Sequence, residues 1–208
     1  FPEVIELSKS IERFAVLTDD AETVEELDQA AKHENAKVNV FLKVDAGAHR
    51  CGVEPQTKEA FEIPERISDS SNLNFAGILT HAGQSYHADS PEKLLEVAHD
   101  ERDLMRNLAE KLRQKGLDVP TVSIGSTPAM SAIDNLEGIN EFRCGNYIFF
   151  DAFQATLGSC SFSDCALTVL AAVIHKNISH KKIVVDAGAV ALSKDRGAVA
   201  FDENCGYG

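Results

Sequence analysis

The sequence predicts an α/β architecture, a partial (β/α)8 barrel followed by the start of a β-rich C-terminal domain, and three observations carry that expectation. Strand-like and helix-like segments alternate strictly as far as residue 150, the pattern of right-handed βαβ units that build a parallel sheet. Polar residues gather at or just beyond the carboxyl ends of several of these strands, where barrel enzymes place their chemistry. After Asp151 the alternation stops and only strand-like runs remain.

Taken in order, Phe14-Ala15-Val16-Leu17-Thr18 reads as a short buried strand, followed by a helix that Asp19 and Asp20 open, with Asp19 and Glu22 as a capping box. Val24, Leu27 and Ala31 share one face of that helix, which runs to about Glu34. Val38 to Asp45 is mostly apolar, as befits a parallel strand buried on both faces, and it delivers the loop Ala46-Gly47-Ala48-His49-Arg50-Cys51-Gly52. Residues 56–70 read as a helix that Pro64 kinks or splits. Phe75 to Thr80 forms a third strand, ending at His81-Ala82-Gly83-Gln84-Ser85-Tyr86-His87. Ser90 and Pro91 then open the longest helix, in which Leu94, Val97, Ala98, Leu104, Met105, Leu108 and Leu112 keep helical spacing until Gly116.

The stretch Thr121 to Ser131 is the most informative. Val122 and Ile124 alternate with Thr121 and Ser123 at the strand period, Gly125 frees the backbone for a sharp turn, and Thr127 and Pro128 suit an N-cap and a first helical position. The turn therefore ends in unpaired amides beside the Ser126 and Thr127 hydroxyls, a cradle for a phosphate or carboxylate. Ser and Thr also cap helices with no ligand at all, so the stretch alone leaves both readings open. Asn140 to Phe150 reads as a fifth strand carrying Arg143, Gly145 and Asn146. Asp45 with Arg50, His81 with Tyr86, Ser126 with Thr127, and Arg143 with Asn146 thus point at one mouth. Residues 1–158 form the expected barrel unit; residues 159–208, with strand-like runs at 166–175 and 182–188, the expected start of the β domain.

Composition narrows the function. The 208-residue chain is 44% hydrophobic and carries 20 Lys and Arg against 33 Asp and Glu, a net charge of −13, which argues against nucleic acid or an anionic membrane as partner. No apolar run is long enough to span a bilayer. Five cysteines with no C-x-x-C pair suit reduced thiols in a cytoplasm rather than a disulfide framework or a zinc cluster.

Five motifs occur together in a known order: Val44 to Val53, Thr80 to Tyr86, Gly125-Ser126-Thr127-Pro128, Arg143-Cys144-Gly145-Asn146-Tyr147, and Asp186 to Asp195. The sequence resembles the D-threonine aldolase and D-serine dehydratase family, pyridoxal phosphate enzymes of the alanine-racemase-like fold. The resemblance implies that Gly125, Ser126 and Thr127, with amides near Gly145 and Asn146, hold the cofactor phosphate. Tyr86 would face the pyridine nitrogen, where a neutral hydroxyl makes a weaker electron sink than a carboxylate partner. His81 and Arg143 would lie beneath the ring and Arg50 near its phenolic oxygen. Lys43 matches a supporting lysine, not the catalytic one, and Lys194 belongs to the β-domain motif.

Two features of the family have no counterpart here: the Schiff-base lysine of its first barrel strand, and the His-x-Cys or His-x-Asp that binds its metal. A barrel alone runs to about 250 residues, and five of its eight strands are legible, so the chain reads as an internal fragment. The activity implied for the intact parent is cleavage of a D-3-hydroxy amino acid, D-threonine to glycine and acetaldehyde, with manganese or zinc at the β-hydroxyl. D-serine dehydration and non-catalytic cofactor binding are the alternatives. The expected assembly is a homodimer, with a small D-amino acid as substrate.

Overall fold

A computed structural model describes residues 1–206. Nine residues before the first expected strand form a helix that sequence reading missed, α1 (Pro2–Ser10), which precedes β1 (Ala15–Thr18). Four crossover helices then separate five strands: α2 (Ala21–His33), β2 (Val38–Lys43), α3 (Glu59–Asp69), β3 (Leu73–Leu79), α4 (Pro91–Gln114), β4 (Thr121–Ile124), α5 (Thr127–Ala132) and β5 (Glu141–Phe142). All pairings are parallel and the spatial order is β1-β2-β3-β4-β5. The order never reverses, as it would in a doubly wound sheet, so this is a barrel-type sheet.

The core lies between the helices and one face of the sheet. Val38, Val40 and Leu42 are fully buried on that face against Leu27, Ile63, Ile67, Met105 and Leu108, while Asn39 and Phe41 on the opposite face are only partly covered. Leu17, which pairs with Phe41, is 51% exposed. The concave side is therefore the open side, and strand ends deliver polar residues to its rim.

Local chemistry explains where the elements differ from expectation. Asp20, not Asp19, caps α2 by accepting from the Thr23 amide at 2.7 Å, which frees Asp19 to accept from the Gly52 amide. Pro64 sits inside α3 without splitting it. The expected fifth strand shrinks to Glu141–Phe142, because its partner β4 turns away at Gly125 (φ +137°) and leaves no ladder to extend. Tyr147, Ile148 and Phe149 consequently stand more than half exposed after a short 3-10 turn at Asn146–Ile148.

Close strand packing makes one glycine indispensable. Gly77 has φ +135°, lies at the bulge where β2 and β3 shift register, and a Cβ there would stand 2.0 Å from the Thr121 carbonyl oxygen. Gly77→Ala is expected to lower the unfolding free energy by at least ~2 kcal/mol, read as a drop in the urea midpoint.

Beyond α6 (Ala152–Thr156) the described residues contain an antiparallel pair, β6 (Val173–Asn177) with β7 (Lys182–Val185), and α7 (Ala189–Leu192). Among the described residues no helix is long and apolar enough to cross a membrane.

Candidate active site

The ends of β1, β2, β3 and β4 surround a cavity of about 460 Å³ whose lining includes Lys43, Arg50, His81 and Arg143, with Asp19 the one carboxylate. A chain of net charge −13 thus turns three cations and an imidazole toward one space, an arrangement that selects an anion.

Each side chain is held by its own strand end. β2 continues through a single parallel bridge between Val44 and Val53, and Asp45 Oδ1 accepts from the amides of Gly47 at 2.9 Å and His49 at 3.1 Å. Those bonds, with Asp19 on Gly52, fold the loop that brings Arg50 to the cavity edge. Lys43 is buried at the end of β2, and burial, reinforced by Arg143 and Arg50 and opposed by Cys51 and Glu101, holds its pKa below the ordinary lysine value.

His81 follows β3. Its Nδ1 lies 2.8 Å from the Gly125 carbonyl, an oxygen that can only accept, so Nδ1 carries the proton and Nε2 keeps its lone pair. Burial is the largest influence on its pKa and lowers it, with Arg50, Lys43 and Arg143 adding to the effect and the Gly125 bond opposing it. His81 is therefore a neutral acceptor at neutral pH. Arg143 reaches back from the end of β5 to donate to the Thr80 carbonyl, Ser123 Oγ and the Ile124 carbonyl. His81 and Arg143 share the cavity as expected of neighbours at one mouth, and the carbonyl and hydroxyl acceptors satisfy the guanidinium from the strands it spans.

On the α5 side the sequence-predicted cradle is assembled differently from expectation. Ser126, not Thr127, is the N-cap and accepts from the Ala129 amide at 3.3 Å. Ser85 Oγ donates to the Ala82 carbonyl, so the 2.8 Å contact between Ser126 and Ser85 uses the Ser126 proton. Ser126 therefore has no hydroxyl proton to give to a ligand. The Gly125 amide donates to Glu101 Oε1 at 3.2 Å and is likewise committed within the protein. Thr127 is different: Oγ1 accepts from the Asn146 amide at 3.1 Å, which joins the β4 and β5 turns and leaves the Thr127 proton free to donate. Gly145 lies beside this junction and is exposed.

The Tyr86 ring stacks at a tilt between His81 at 6.3 Å and Phe153 at 5.8 Å. Its hydroxyl lies beside the Thr127 amide, and burial, aided by Asp151, raises its pKa, so it stays protonated. The structure thus brings Arg50, His81 and Arg143 into one cavity, while Thr127 lines a second that shares Arg143 and is tied to Asn146, with Tyr86 and Gly145 beside that junction. Sequence reading missed Glu101, although an acidic residue between Ala98 and Met105 on the apolar face of α4 was the available signal.

Comparison with known proteins settles the ancestry. Residues 3–152 match the alanine racemase N-terminal domain family. The chain belongs to this family. Across 207 residues it is 34% identical to the D-threo-3-hydroxyaspartate dehydratase of Delftia sp. (strain HT23), covering 100% of this chain and 54% of that protein. The solved structure of that dehydratase superposes with a TM-score of 0.87 over 97% of this chain and 53% of that one. The D-serine dehydratase of Dictyostelium discoideum is 36% identical, with 92% of this chain and 51% of that protein aligned, and the D-threonine aldolase of Arthrobacter sp. 26% identical, with 92% and 50%. The chain spans about half the length of the curated relatives it matches. The family resemblance read from the five motifs is borne out, and the relatives are lyases of D-3-hydroxy amino acids.

Proposed function

We propose that this chain supplies the cofactor-binding half, residues 1–158, of a pyridoxal phosphate-dependent lyase acting on small D-3-hydroxy amino acids, with residues 159–208 opening its β domain. The observation that carries the reading is the cationic cavity of Lys43, Arg50 and Arg143 around His81 in an otherwise acidic chain. The residues fit pyridoxal phosphate: Arg50 and Arg143 of this cavity offset the negative charge of a phenolate and a substrate carboxylate, and Thr127, which lines a second cavity that also includes Arg143, offers an uncommitted hydroxyl proton for the phosphate. When bound, the cofactor supplies an electron sink for the bond broken at the substrate Cα. His81 Nε2 is placed to accept a proton or hydrogen bond at the rim, and the protonated Tyr86 hydroxyl to donate one. Among the described residues no group of three or more His, Cys, Asp or Glu side chains is arranged to hold a metal.

The dehydratases at 34% and 36% identity stand only slightly above a 3-hydroxy-D-aspartate aldolase at 32%, so both loss of water, giving ammonia and an oxo acid, and aldol cleavage are proposed, with loss of water placed first. All five cysteines are unpaired, in keeping with a reducing cytoplasm, and the assembly proposed for the whole protein is a homodimer. The test is to incubate the whole protein and pyridoxal phosphate with D-threo-3-hydroxyaspartate, D-serine and D-threonine, following ammonia and aldehyde separately. Neither product from any of the three would overturn the reading. Thr127→Val, which keeps shape and removes the hydroxyl, is expected to weaken cofactor binding about tenfold, the scale of one hydrogen bond to a charged group, measured by absorbance titration.

A further inference from the structure

Glu101 is fully buried at the centre of α4, in a stripe otherwise made of Leu94, Val97, Ala98, Met105, Leu108 and Leu112. A carboxyl group in such a place is costly unless hydrogen bonds hold it. Its Oε1 accepts two of them, from the Ala82 amide at 3.0 Å and the Gly125 amide at 3.2 Å. These amides belong to the two turns that matter most: Ala82 follows His81 at the end of β3, and Gly125 leads from β4 into the α5 turn that carries Thr127. The same two turns are joined again by the His81–Gly125 bond and by Ser85–Ser126. Oε2 has no partner among the described residues. One oxygen thus serves both turns from beneath, where no ligand can reach it.

The geometry points to Glu101 as a positioning residue, a tie that sets the β3 turn against the β4 turn and so fixes the distance from His81 and Tyr86 to Thr127. The role rests on the cofactor-binding reading above. A lone helix-packing role would need no acceptor, and a methionine would fill the space. The tie needs an acceptor of the right length. Gln retains one oxygen at the same reach, Asp keeps the carboxylate but falls short by a methylene, and Met keeps the volume alone.

The experiment titrates pyridoxal phosphate into the whole protein and its Glu101→Gln, Glu101→Asp and Glu101→Met variants, with urea midpoints and the kcat and KM of the wild-type reaction measured alongside. The expected result is that Glu101→Gln stays within about threefold of wild-type cofactor affinity, while Glu101→Met and Glu101→Asp lose about tenfold or more, as two backbone hydrogen bonds go, with kcat falling alongside. If Glu101→Met does not fold, Glu101→Asp carries the comparison. Folded Asp or Met variants with wild-type affinity and kcat, or a Gln variant as impaired as Met, would overturn the tie. Wild-type protein that binds no pyridoxal phosphate would overturn the cofactor reading itself, a separate outcome seen before any variant is compared.

Discussion

Replacing Arg143 with alanine in the whole protein is expected to lower kcat/KM by about 100-fold or more, the scale on which one positioned donor acts inside an active site. The guanidinium spans three strands. It starts at the end of β5, donates to Thr80 at the end of β3 and to Ser123 and Ile124 of β4, and still lines the cavity. Removing it takes a fixed cation from the anion site and lets Thr80 and Ser123 relax. The folding cost is expected at about 1–3 kcal/mol, the scale of leaving the buried Thr80, Ser123 and Ile124 acceptors without their donor. Arg143→Lys keeps the charge without the planar fork that reaches several acceptors at once, so it should recover only part of the loss. Steady-state kinetics with urea melts decide the matter. Full activity in Arg143→Ala, or a loss accounted for by unfolding, would remove Arg143 from the site.

The parts of the fold legible in the sequence are those where one physical signal acts alone. β1 to β4 are short apolar runs bounded by turn residues, and the 24-residue α4 keeps its apolar spacing throughout. β5 failed because Tyr147 to Phe150 is as apolar as a strand, yet a strand exists only where a neighbour offers a ladder, and β4 ends at Ile124. That condition is tertiary. The site divides the same way: parallel strands carry their carboxyl ends to one rim, so Arg50, His81 and Arg143 could be grouped from order alone. Which hydroxyl keeps its proton could not. Ser126 and Thr127 are equally good caps in sequence, and only the position of Ser85 decides that Ser126 spends its proton internally while Thr127 keeps one.

The 208-residue chain by itself, supplied with pyridoxal phosphate and manganese or zinc, is expected to give neither a borohydride-trappable lysine adduct nor turnover of D-threonine or D-serine. Carbonyl chemistry needs a neutral amine held against the cofactor aldehyde, and Lys43 is the one described lysine that lines the cavity. Burial lowers its pKa, which is the property a reactive lysine requires, so it is the residue to watch. Its position argues the other way. Lys43 is 8% exposed at the end of β2, beside Arg50, Cys51, Arg143 and the buried Glu101, a place that suits the supporting role the family resemblance implies. Lys194 lies on the segment after α7 and does not line the cavity. Exposed apolar side chains, with Leu17, Phe142, Tyr147 and Ile148 about half exposed or more, should also drive self-association, seen as a rise in apparent mass with concentration. Mass spectrometry after borohydride settles the chemistry. A stoichiometric adduct at Lys43 that Lys43→Arg abolishes, together with ammonia or aldehyde release, would mean that this lysine is the nucleophile and that the four strand ends described here already form a working site.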